Sequence, residues 1–156
     1  MRRRAVWLVV AAVGALVALG SAYAVQRTLG GAPDEDAGWL DSLADVQGTW
    51  VSTTGFARDG STPWTTPVHL AVEGDRVRLD AGCNTMTGEV TLDDHRLDAG
   101  GGLATTEIGC PPDIAGTEGW LAAMVAARPQ ASLKGSTEGP MLALDSDAGW
   151  IGFVRR

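Results

Sequence analysis

The chain has a single lysine, Lys134, together with one tyrosine, two phenylalanines, two histidines and two cysteines. Each shortage excludes something. With no lysine cluster and a net charge of −7 it offers no surface for a phosphate backbone, which is held by grouped cations that displace counterions. Arg2, Arg3 and Arg4 supply three of the positive charges, so the remainder of the chain carries −10. Nucleic acid is therefore not an expected partner. Neither cysteine belongs to a Cys-x-x-Cys pair, and His69 and His95 fall in a strand and a turn without ligand spacing. No resident metal or cofactor is expected. Asp93-Asp94 and Asp145 with Asp147 lack the loop that wraps calcium in oxygen ligands, and read as solvated turn acids. A Gly-x-Ser-x-Gly elbow, a P-loop and a dinucleotide fingerprint are all missing. The expectation is a protein that is not an enzyme; the catalytic alternative is Cys83 as nucleophile with His69 or His95 as base.

Long apolar runs are missing too, with one exception. Residues 5–25, AVWLVVAAVGALVALGSAYAV, are uncharged and number 21. As a helix rising about 1.5 Å per residue they cross a hydrocarbon core of about 30 Å. The arginines ahead of the run and the acidic stretch behind it place the N-terminus in the cytoplasm and the rest outside the cell membrane. This is a single-pass anchor. The alternative is a signal segment cut near Ala24, in the small-x-small stretch Ala22-Tyr23-Ala24, which would leave a secreted protein. Residues 26–39 are Gly, Pro and acid with little to bury, and read as a flexible tether.

From residue 40 to 156 short apolar alternations are broken every ten or so residues by Gly, Asp or Pro, the pattern of a mainly β, barrel-like domain. GTWVSTT, residues 48–54, is a strand rich in β-branched residues. Val68, Leu70 and Val72 alternate, Gly74-Asp75 turn the chain, and Val77 and Leu79 resume the alternation. Val90, Leu92 and Leu97 repeat the device around Asp93-Asp94. Residues 117–128 break the period of two: Trp120, Leu121, Met124 and Val125 make an amphipathic helix, with Thr117 as its N-cap and Pro129 as its stop. Strands then close the fold through QASLKG, PMLALDS and GWIGFVRR. The expected total is about seven to eight antiparallel strands and one inserted helix.

Three segments together resemble the META/HslJ-like domain family: Trp50 in the first strand, Ala81-Gly82-Cys83-Asn84-Thr85-Met86-Thr87-Gly88-Glu89-Val90, and Leu103-Ala104-Thr105-Thr106-Glu107-Ile108-Gly109-Cys110. The resemblance implies a small β-barrel-like fold with a packed helix, on the extracytoplasmic side of bacterial membranes. It brings no catalytic residues, and only a loose association with stress tolerance and envelope functions. Where the family usually has a basic residue and a Met before the second cysteine, this chain has Glu107 and Ile108, which puts anion binding through that segment in doubt.

The two cysteines invite a disulfide between Cys83 and Cys110. Their number is even, the compartment is oxidising, and closing a loop of 26 intervening residues stabilises by about 3 to 4 kcal/mol. Two separate buried thiols, a reactive cysteine and a metal ligand are the alternatives. Gly82 and Asn84 suit a turn with positive φ, although an Asn84 amide at a barrel mouth is also a candidate ligand contact. Trp50, Trp120 and Trp150 fit core faces, and Trp39 ends the tether. Trp64, in the loop STPWTTP, is the second candidate ligand contact. The expected function is that of a tethered or secreted envelope domain with a binding or structural role. Its partners would be the membrane through residues 5–25 and an envelope protein or small ligand; a small-ligand β-barrel is the rival.

Overall fold

The computed structural model describes residues 37–64, 66–135 and 139–156. The anchor or signal segment at 5–25, the Ala22-Tyr23-Ala24 stretch and the tether as far as residue 36 lie outside the described residues. Within the described residues the chain lays down eleven strands. They are β1 (Ala37–Trp39), β2 (Gly48–Ala57), β3 (His69–Glu73), β4 (Arg76–Asp80), β5 (Thr85–Glu89) and β6 (Thr91–Asp93). After them come β7 (Arg96–Asp98), β8 (Ala104–Thr105), β9 (Gln130–Lys134), β10 (Met141–Ser146) and β11 (Gly149–Arg155), with helix α1 (Pro112–Ala126) between β8 and β9. Seven to eight strands were expected. The excess comes from β1 and β8, which are two or three residues long and too short to display an alternation, and from the break at Val90, which divides the run ahead of the β6–β7 turn into β5 and β6. Residues 37–39, read from sequence as the end of the tether, pair with β9 as β1.

All strand pairs are antiparallel, in the order β6-β7-β9-β10-β11-β2-β3-β4-β5-β8. Val90 alone separates β5 from β6, near opposite ends of that order, so the sheet is curled into a half-barrel. The inward residues of the strands, including Trp50, Leu70, Leu79, Met86, Ile151 and Phe153, form one cluster with Leu121 and Met124 of α1. The helix thus supplies part of the interior filling. Trp50 and Phe153 are almost fully buried. Each stabilises by about 2 to 3 kcal/mol relative to an exposed side chain. The indole N–H of Trp50 donates to Val46 O at 2.8 Å, which satisfies its one polar atom.

Three local expectations are corrected. Helix α1 begins at Pro112, five residues ahead of Thr117, because Pro fits the first helical turn, where its missing N–H has no intrahelical partner to lose. Thr117 is consequently not a cap; it is buried within the helix and donates to Pro63 O at 2.7 Å. The β6–β7 hairpin turns at Asp94 and His95, one residue late, with φ of 46° and 60° as a two-residue hairpin of this twist requires. Trp150, expected in the core, lies half-buried and stacks on its cross-strand partner Phe56, with ring centroids 6.0 Å apart.

Candidate functional site

The chemistry-bearing residues gather where β4 passes into β5. After Asp80 the chain turns through Gly82, whose φ of +102° opens the bend and whose N–H donates to Asp80 Oδ1 at 2.8 Å. The hydroxyl of Thr66 donates to Ala81 O at 2.9 Å and holds the near side of the turn. Cys83 follows half-buried, and Asn84 turns inward to 7% exposure.

Asn84 organises everything around it. Its Oδ1 accepts from Ile108 N at 2.8 Å and from Thr106 Oγ1 at 3.0 Å. Its Nδ2 faces Glu118 Oε2 at 2.9 Å, Cys110 Sγ at 3.0 Å and Ile108 O at 3.1 Å, three acceptors sharing two N–H donors. The backbone N–H of Asn84 donates to Glu118 Oε1. The segment from Thr106 to Cys110 is thereby wrapped onto the turn, with Thr85 N donating to Thr106 Oγ1 at 3.0 Å and Thr106 N to Thr85 O at 3.1 Å.

Cys83 and Cys110 stand at disulfide distance, and no cysteine is left over. Cys110 Sγ lies 3.6 and 3.8 Å from the two carboxylate oxygens of Glu118 and 3.2 Å from Ile108 O. A disulfide sulfur has no proton, so these are packing contacts until the bond is reduced. Glu118 is 8% exposed on the inner face of α1. Among the described residues no Lys, Arg or His forms an ion pair with it, and only the two N–H groups of Asn84 hold its charge by full hydrogen bonds. No buried side-chain nitrogen or oxygen among the described residues lacks a partner.

Asn84, read first as a turn former and weakly as a ligand contact, sits beside the turn and spends its amide on the protein itself. Trp64 is half-buried rather than free in its loop: it packs against the core and against Trp120, with ring centroids 5.2 Å apart. The two histidines lie elsewhere. His69 is exposed on β3, and the His95 ring in the β6–β7 turn meets Leu40 O and Asp41 Oδ1, each at 3.2 Å, and stacks on Trp39. Ile108 exposes its side chain and lends its backbone to Asn84. Glu118 was missed from sequence. Its signal was a carboxylate between Thr117 and Leu121 on the apolar stripe of a helix, where a charge is rarely buried without a purpose.

Two grooves among the described residues open to solvent near these elements. One of about 210 Å³ on the outer side of β2, β3 and β4 is lined by His69, Arg78, Asp80 and Arg156 among others. Another, of about 500 Å³, runs between Asp75–Arg76, Gly88–Thr91 and the Asp98–Gly102 loop.

No curated protein matches the chain. An NMR structure of a protein from Burkholderia xenovorans is similar in fold, with a TM-score of 0.59 at 20% sequence identity, over 80% of this chain and 97% of that one. The META domain model matches residues 41–154, from just before the 3-10 turn at Leu43–Val46 to the next-to-last residue of β11. That span takes in the whole network of Asn84, Cys83, Cys110 and Glu118, and on it the chain belongs to the META domain family.

Proposed function

We propose that the chain is a non-catalytic envelope protein whose META domain stands outside the cell membrane, tethered by residues 5–25 or released by cleavage near Ala24, and acts by binding or by structural interaction. The observation that carries the reading is the mutual engagement of Cys83, Asn84, Cys110 and Glu118. These groups hold the β4–β5 turn, the 106–110 segment and α1 together by hydrogen bonds to one another. A staple of this type suits a domain of modest core in an oxidising compartment. The interior is filled by the core cluster, which weighs against a ligand carried inside the half-barrel. A partner would instead meet the outer surface, where Phe56 and Trp150 form an aromatic pair across β2 and β11. The stress association of the family belongs to the same reading.

The test is protease added to intact cells producing the full chain. The domain is expected to be digested from outside while the N-terminal arginines stay protected; a domain that resists until the cells are lysed would overturn the placement. For the binding role, the full chain is expected to retain an envelope component that a Phe56→Ala, Trp150→Ala double variant does not. Equal retention by both would remove that surface from the proposal.

A further inference from the structure

The Cys83, Cys110 and Glu118 cluster has a second chemistry once the sulfur–sulfur bond is opened. One ligand atom from each of the three lies within 4.8 Å of the others. A tetrahedral zinc ion with Zn–S of about 2.3 Å and Zn–O of about 2.1 Å sets its ligand atoms about 3.5 Å apart. The 3.6 and 3.8 Å from Cys110 Sγ to the Glu118 oxygens already match that spacing. Charge points the same way. Glu118 is a buried carboxylate with no cation in ion-pair reach among the described residues, and reduction adds two ionisable thiols beside it. Asn84 completes the arrangement: its amide N–H groups reach both Glu118 Oε2 and Cys110 Sγ, the position from which an outer hydrogen-bond donor orients metal ligands.

We propose that Cys83, Cys110 and Glu118 form a latent site for one thiophilic divalent cation of the zinc class, closed by the disulfide and opened by a dithiol reductant. The reductant delivers two electrons to the Cys83–Cys110 bond and closes its own disulfide, and its two protons go to the two cysteine sulfurs. On binding, each thiol gives its proton to solvent and its sulfur lone pair to the cation, and one Glu118 oxygen becomes the third ligand. Water takes the remaining position. Two thiolates and a carboxylate then face a dication, so the site keeps the single net negative charge that Glu118 carried alone, and the cation offsets the charge of the two ionised thiols. Such a site makes the domain responsive to reductant and metal together, and it holds wherever the chain resides, so its failure would leave the envelope placement standing.

The experiment uses the full-length chain in detergent, reduced with dithiothreitol, freed of reductant without air and titrated with Co²⁺ and then Zn²⁺. The expected result is one Co²⁺ per chain, with a thiolate-to-cobalt charge-transfer band that Zn²⁺ abolishes, and no band from the oxidised chain. Glu118→Gln is expected to weaken binding at least about tenfold, on the scale by which metal-site substitutions act. Because a reduced chain that had unfolded would also bind metal through its thiols, circular dichroism is followed in parallel. Binding of equal strength in wild type and Glu118→Gln, folded or unfolded, overturns the site, as does the absence of a charge-transfer band in the reduced wild type.

Discussion

Asn84 shows how one side chain can decide the shape of a region. A short amide with two donors and two lone pairs is the residue type that can tie a turn, a passing segment and a helical carboxylate at one point. Removing it in Asn84→Ala leaves Ile108 N–H and the Glu118 carboxylate short of partners in a buried setting. The expected loss is about 2 to 3 kcal/mol of unfolding free energy, measured by urea denaturation of the oxidised protein. Asn84→Asp should cost more, since it places a second carboxylate against Glu118. The residue types at this site were legible in the sequence as a turn motif, Gly82-Cys83-Asn84, but their roles were not. A turn former and a buried hub share the same letter, and only the partner segments, 22 to 34 residues away along the chain, distinguish them. Glu118 carried a signal in its place on the apolar stripe of α1, but its partner Asn84, 34 residues away along the chain, was not legible.

At the level of elements, β3 and β4 were readable because their residues alternate between core and solvent, whereas β10 and β11, with Leu142, Ala143 and Leu144 and then Ile151, Gly152 and Phe153 buried in succession, were readable from their apolar content. The short strands β1 and β8 were not, since their pairing depends on the neighbours they meet and not on their own pattern. The β10–β11 hairpin offers a sharp test. Gly149 has φ of +145°, and a Cβ there would press on Phe56 O and lie 2.9 Å from Ala57 Cα on β2. Gly149→Ala is expected to lower stability by at least about 2 kcal/mol, read as a shift in the denaturation midpoint without a change in slope. Helix α1 makes a second test. Met124 is almost completely buried and its sulfur accepts from Ser146 Oγ at 2.9 Å on β10. Met124→Ala leaves a cavity beneath the helix and the buried Ser146 hydroxyl, which still accepts from Ala148 N, without its acceptor. A loss of about 2 to 5 kcal/mol follows, and a loss below about 1 kcal/mol would mean that α1 contributes little to the core.

Across the described residues, a curled sheet and the helix packed on it enclose a modest core, and the link between Cys83 and Cys110 ties the β4–β5 turn to the segment leading into α1. Constraining a loop of this length contributes about 3.5 kcal/mol in the chain-entropy model. A Cys83→Ser, Cys110→Ser variant should lose about that much in urea titrations relative to the oxidised wild type. The mainly β class of the fold and the approach of Cys83 to Cys110 were readable from the sequence, from alternation in one case and from the even number of cysteines in the other. The curl was not, because it depends on Val90 joining two strands near opposite ends of the sheet order. The envelope reading rests on the state of these two sulfurs in the cell. The most direct measurement is intact mass of the full chain taken from cells into an alkylating agent, with and without prior reduction. A domain exported to an oxidising compartment takes up no alkyl group before reduction and two after it; two alkyl groups without reductant would contradict both the disulfide and the compartment.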